Sequence, residues 1–116
     1  LGDIDKYSVR SKFNNKRTVI EGKSFHSKGE AARYLVLRDR FAAGVISDLR
    51  LQVSYRLTVN DDLICRYIAD FVYIRDGLEI VEDYKGAITD VFRLKRKLMR
   101  ACHGITIYEV TKADAP

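Results

Sequence analysis

The chain has 116 residues, 47% of them apolar, and a formal net charge of +5, which suits one domain with a single buried core and points to a polyanionic partner. No run approaches the ~20 apolar residues of a membrane-spanning helix, and the N-terminus carries no apolar leader, so the expectation is a soluble, cytoplasmic protein. The two cysteines, Cys65 and Cys102, lack metal-ligand spacing and read as apolar fillers rather than as a disulfide or a zinc site.

Residues 1–15 hold few large apolar side chains and read as a basic, flexible arm. Residues 16–110 read as one domain and 111–116 as a tail. Within the domain, Thr18-Val19-Ile20 and Lys23-Ser24-Phe25 flank Glu21-Gly22, a pair suited to a tight hairpin turn. Ser27-Lys28-Gly29-Glu30 has the spacing of a capping box and predicts a helix start. Ala31, Tyr34, Leu35, Arg38, Phe41 and Ala42 then form its predicted stripe, and Gly44 is placed to stop it.

From Val53 the period becomes two, with Val53, Tyr55, Leu57 and Val59 alternating against polar residues. Asn60-Asp61-Asp62 and Asp76-Gly77 supply turn chemistry on either side of Leu63 to Ile74, and Leu78 to Lys85 follows. Three antiparallel strands in a meander are expected. Thr89 is the predicted N-cap of a second helix ending at His103-Gly104, with Val91, Leu94, Leu98 and Cys102 as its buried stripe and Arg93, Arg96, Lys97 and Arg100 on its outer side. Ile105 to Val110 reads as a last strand. The fold class is thus α/β with a mixed α+β sheet.

Residues two apart on a strand share a face, so Val81, Asp83 and Lys85 point one way and Ile80, Glu82 and Tyr84 the other. Asp70 alternates with Ile68 and Val72, which sets a carboxylate in an apolar row and calls for a cation or a hydrogen-bond partner. The turn at Asp76-Gly77 folds Asp70 back to the level of Asp83. Two converging carboxylates repel unless a cation lies between them. Hard oxygen ligands favour Mg2+, with Mn2+ as a substitute, and Lys85 stands beside them.

Asp70 followed by Asp83-Tyr84-Lys85 resembles the D…(D/E)xK signature of the PD-(D/E)xK nuclease superfamily, and the order helix, meander, helix, strand resembles its restriction-endonuclease-like core. Gly44-Val45-Ile46 through Leu49, Leu51 and Gln52 is similar to the helix-to-strand link of small phage and prophage members, and Val81 to Gly86 to their third strand. Ala69 stands where the signature has proline. The resemblance implies a metal-dependent endonuclease cutting DNA, of the phage-encoded Holliday-junction-resolvase-like type, working as a homodimer in the host cytoplasm. It implies Asp70, Asp83 and Glu30 as metal ligands and Lys85 as the catalytic cation.

Each of these readings has a plainer rival. Glu30 is explained equally by the helix cap. Lys95 either snorkels to water or reaches a phosphate, and Gln52 either assists the site or makes an ordinary strand-start hydrogen bond. If the third strand slipped by one residue, Glu82 would face the site, but Lys85 would then turn away. Arg10, Lys12, Lys16, Arg17, Lys23 and Lys28, with aromatics interleaved, suit a DNA-tracking arm or a solvated leader. The rival functions are a non-catalytic DNA-binding module on the same fold and an accessory subunit of a DNA packaging, transposition or repair complex.

Overall fold

The computed structural model describes residues 17–111, so the expected arm, with Arg10, Lys12 and Lys16, and all of the tail but Thr111 lie outside the described residues. The order is β1 (Thr18–Ile20), β2 (Lys23–Phe25), α1 (Lys28–Ala42), β3 (Ser47–Val59), β4 (Asp62–Arg75), β5 (Leu78–Tyr84), α2 (Asp90–His103) and β6 (Tyr108–Val110). This is the mixed α and β order expected from the sequence. Strands β1 and β2 pair with each other, while the main sheet runs β3-β4-β5-β6, antiparallel except for β6, which lies parallel to β5. The three hairpin turns, Glu21-Gly22, Asn60-Asp61 and Asp76-Gly77, all have φ between 48° and 80°, the backbone that lets a two-residue turn follow the twist of its strands. Among the described residues no helix is long and apolar enough to cross a membrane. Cys65 and Cys102 are free and half-buried.

The sheet separates two cores. One, against α2, joins Leu57, Tyr67, Ala69, Val72, Val81, Phe92 and Met99. The other, against α1, joins Phe25, Ala31, Tyr34, Leu37, Ile46, Phe71 and Tyr73. Burying each large side chain in these sets contributes ~1.5–3 kcal/mol.

Each helix keeps part of its expected stripe, Ala31, Tyr34 and Leu35 on α1 and Leu98 and Cys102 on α2, but is turned from the rest. On α1, Phe41 is 50% exposed and Ala42 is exposed, whereas Glu30, Ala31, Arg33, Tyr34 and Leu37 are buried. Arg33 sinks because Glu82 receives it through two bonds, Nε to Oε2 at 2.6 Å and Nη2 to Oε1 at 2.9 Å. The Tyr73 hydroxyl donates to the same carboxylate at 2.6 Å. A buried pair so bonded helps to fix which face turns inward. On α2, Val91 and Leu94 are 62% and 56% exposed, and Phe92 and Met99 are buried instead. The apolar arc of this helix is wider than the sheet can cover, and the contact falls roughly a quarter-turn from the expected stripe. Arg96, expected on the outer side, is half-buried and donates to both Glu109 oxygens at 3.0 Å.

Strands β3 and β4 change faces together. Leu49 and Leu51 pack toward α1, but Val53, Tyr55 and Leu57 pack toward α2; on β4, Tyr67 and Ala69 face α2, but Phe71 and Tyr73 face α1. Residues two apart should share a face, so each strand slips by one residue, at Gln52 and at Asp70, between the registered pairs Leu51–Phe71 and Val53–Ala69. Gln52, at φ 54°, supplies the slip on β3. This corrects two expectations. Strand β3 begins at Ser47 rather than Val53, because the slip breaks the period that marked its start. The row Ile68, Asp70, Val72 does not exist, since Ile68 is 53% exposed and Val72 fully buried. The last strand is also shorter than Ile105 to Val110, pairing with β5 only from Tyr108.

Candidate active site

Pairing between β4 and β5 runs from Arg75–Leu78 to Phe71–Glu82 and stops there, although both strands continue. Beyond that point β4 stays with β3 while β5 pairs with β6, so the sheet opens into a fork. Asp70 and Asp83 stand at its mouth. The Asp70 amide donates to Asp83 Oδ1 at 3.3 Å, and the Tyr84 amide donates to Asp70 Oδ2 at 2.9 Å. The carboxylates thus take the ladder bonds that the diverging backbones no longer make, and they meet at one level, as expected from the turn between them.

Lys85 follows on the same face. Its Nζ lies 2.7 Å from Asp83 Oδ2 and 3.8 Å from the centre of the Phe92 ring. Its amide donates to the Val110 carbonyl at 2.8 Å, tying its backbone to β6. Glu82 does not compete for the site. It is fully buried on the other face with Arg33 and Tyr73, so the strand stands in the register that puts Asp83 and Lys85 together.

Glu30 arrives from the first turn of α1. Ser27 Oγ accepts from the Glu30 amide at 3.1 Å, as the cap requires, but Glu30 Oε1 accepts from the His26 amide at 3.0 Å rather than from that of Ser27. The carboxylate therefore leans out of a reciprocal capping box. Its Oε2 accepts from Gln52 Nε2 at 3.2 Å, and its charge lies near enough to Asp70 to raise that carboxyl. Glu30 is a helix cap and a member of the acidic cluster at once. The left-handed backbone at Gln52 costs of order 1–3 kcal/mol, and strain of this kind gathers at working sites. Close approach of α1 depends on Gly29, because a Cβ there would run into the Tyr84 ring.

Burial dominates the electrostatics. It pushes the Asp83 carboxyl up to about 7, with Asp70 adding to the rise and Lys85 opposing it. It pushes Asp70 up to about 6, where the hydrogen bond with Asp83 opposes the rise and the nearby Glu30 charge adds to it. Glu30 is also raised, mainly by burial. Three acids share one ammonium, and the cluster is short of positive charge. Tyr67 reports the same shortage. Its phenol is buried, burial and the charges of Asp83 and Asp70 hold its proton on, and its oxygen has no hydrogen bond of good geometry.

Among the described residues no group of three or more His, Cys, Asp and Glu side chains forms a ready cation cage. Magnesium does not require one, since it takes one or two carboxylates and keeps several waters. Two facing carboxylates with raised proton affinity, Glu30 beside them and an unpartnered phenol nearby fit such an ion.

The other candidates are more dispersed. Lys95 is half-buried on the inner side of α2. Arg17, Lys23 and Lys28 are exposed around the β1–β2 hairpin and the start of α1; Arg17 donates to Ser24 Oγ at 3.4 Å and Lys23 lies 5.9 Å from the Tyr34 ring centre. A groove of about 420 Å³ lined by Tyr34, Arg38, Phe41, Leu49 and Leu51 includes none of the fork residues. Sequence reasoning missed Tyr67, Gly29 and the Arg33–Glu82–Tyr73 group. An arginine between Ala31, Tyr34 and Leu37 at helical spacing, with a glutamate on the inward face of β5, was the available signal for the last.

A family model described as protein of unknown function (DUF1064) matches residues 10–111. No curated protein and no solved structure matches the chain.

Proposed function

This chain belongs to the DUF1064 family, and from its fork residues we propose that it is a magnesium-dependent endonuclease that hydrolyses DNA phosphodiester bonds. The observation that carries this reading is the meeting of Asp70, Asp83 and Lys85 at one opening of the sheet, with the Glu30 charge close enough to raise Asp70. A D…DxK set on the second and third strands of a meander, between two helices, supports membership of the PD-(D/E)xK superfamily.

Asp70 and Asp83 would hold the ion, and Glu30 would complete the set; Mn2+ would substitute for Mg2+. When bound, the ion supplies a Lewis acid beside the phosphate and makes water more acidic. Lys85 holds an ammonium against Asp83, where it serves a phosphate oxygen or an attacking water as hydrogen-bond donor. Gln52 and the His26 amide each hold one Glu30 oxygen and so fix the orientation of the carboxylate. Phe92 packs beneath the Lys85 ammonium and limits its travel. Lys95 is the candidate phosphate contact on α2. The superfamily resemblance favours a phage-encoded enzyme acting on branched DNA such as a four-way junction, and a symmetric cut in two strands calls for a homodimer.

The test is cleavage of linear, flapped and four-way DNA with Mg2+ or Mn2+, with Asp83→Ala as control. Metal-dependent cutting by the native chain and none by the variant is expected. DNA binding without cutting under every condition would replace this reading with the non-catalytic module.

A further inference from the structure

We propose that the uncovered face of the β3–β4 hairpin is a ledge for the sugar–phosphate backbone of duplex DNA, held by Arg56 and Arg66; this rests on the reading of the fork as a DNA-cutting site. Helix α1 covers the sheet where Leu49, Leu51, Phe71 and Tyr73 face it. Its first turn ends at the Glu30–Gln52 contact. Past that contact the same sheet face continues bare, with Ser54, Arg56, Ile64, Arg66 and Ile68 exposed, while Tyr55, Leu57, Cys65 and Tyr67 turn to α2.

Arg56 and Arg66 are direct cross-strand partners on this bare face. Like charges placed opposite each other destabilise a strand pair. Arg33, Arg38, Arg50, Arg93 and Arg96 each have an acidic partner, and Arg75, which has no ion pair among the described residues, faces Leu78 rather than another cation. Among the described residues neither Arg56 nor Arg66 has an ion pair or a side-chain hydrogen bond. The pair thus costs the free fold stability, and a polyanion is its complement. A second copy is not, because a two-fold contact must be self-complementary and would set these arginines against each other.

Continuity with the fork favours DNA over an acidic peptide. Arg66 lies four residues from Asp70 on β4, about 14 Å along the strand. That distance matches the axial rise of about four base pairs on one DNA strand. The uncharged Ser54–Ile68 pair fills the step between. Lys28, exposed at the start of α1, adds a positive charge at the helix's positive end. On the α1 side the fork ends at Glu30 and Gln52, and the two guanidiniums follow on that same face, whereas Lys85 meets the fork from the α2 side over Phe92.

The test is binding of the full chain to a fluorescent DNA duplex in EDTA, followed by anisotropy across a salt series. Combined Arg56→Gln and Arg66→Gln should weaken binding ~10-fold at low salt and flatten the slope of log affinity against log salt by about 1.8 for two lost phosphate contacts. Thermal stability should not fall, which separates lost contacts from misfolding. Arg56→Lys with Arg66→Lys should keep the slope. Arg40→Gln in the last turn of α1 with Arg75→Gln at the far end of β4 removes equal charge and should change little. Unchanged binding by the Arg56/Arg66 variant, or an equal loss in the Arg40/Arg75 control, would overturn the ledge. So would loss of self-association with DNA binding intact, or tight capture of an acidic peptide by a chain that does not bind DNA. Cleavage is scored separately with Mg2+. Cutting with no arginine effect defeats the ledge alone, and an arginine effect without cutting defeats the nuclease reading alone.

Discussion

Lys85 is held between an anion and an aromatic face, 2.7 Å from Asp83 and 3.8 Å from the Phe92 ring centre. Neither contact is needed to hold the fork together, because Asp70 and Asp83 are tied by backbone amides. Lys85→Gln should therefore lower the cleavage rate at saturating DNA by about 10²–10³-fold, the usual cost of one donor aimed at developing charge. Its melting temperature should stay near that of the native chain; a loss of rate matched by a collapse of the fold would deny Lys85 a chemical role. Asp83 and Lys85 were legible from strand period, and Asp70 from the short turn that folds β5 back to its level, although the apolar row expected around Asp70 does not exist. Tyr67 was not, since an aromatic at core spacing reads as core until its unbonded oxygen is seen beside Asp83. Gln52 stood between, with the right partner region but no sign of its φ of 54°.

The reach of α1 into the fork depends on one missing Cβ. Alanine is the better helix former by about 1 kcal/mol, so Gly29→Ala would stabilise a free helix. Here its methyl meets the far end of the Tyr84 ring, so either the ring turns aside or the first turn backs away and carries Glu30 from Asp70. Gly29→Ala should cost both stability and cleavage, and adding Tyr84→Ala should recover much of the stability; a double-mutant cycle in urea measures that coupling. Strict additivity would show that the two groups do not compete for space. The element order was readable because turn residues punctuate it: Glu21-Gly22, Asn60-Asp61 and Asp76-Gly77 each take the left-handed backbone expected of them. Helix orientation was harder. Apolar spacing cannot count Arg33 as an inward residue unless Glu82 is known to lie opposite, nor tell which part of the broad apolar arc of α2 meets the sheet. The double slip at Gln52 and Asp70 was invisible for a related reason, since each strand keeps apolar residues on both sides of it.

For the whole molecule, the acidic cluster makes stability a function of pH and of divalent ions. The carboxyls of Asp70 and Asp83 titrate at about 6 and about 7 in the fold, against an ordinary value of 3.8, chiefly because burial disfavours their charge. Between about pH 4 and 7 the folded chain therefore holds protons that the unfolded chain has released, and stability falls as pH rises through that window. Other carboxylates pull the opposite way only near and below pH 4, which leaves pH 5 to 8 as the range in which the fork governs. In EDTA the melting temperature should drop across this range. Magnesium competes for the same oxygens, so its stabilisation should be small at pH 5 and largest at pH 8. Asp83→Asn keeps the shape but removes one buried charge; it should raise metal-free stability at pH 8 by at least ~1 kcal/mol, about 4–8 °C in a domain of this size, while abolishing cleavage. Melts recorded by circular dichroism over pH, with and without magnesium, decide the matter. A profile that is flat or rising in EDTA, or an ion effect that does not grow with pH, would mean that the fork carboxylates do not carry this cost.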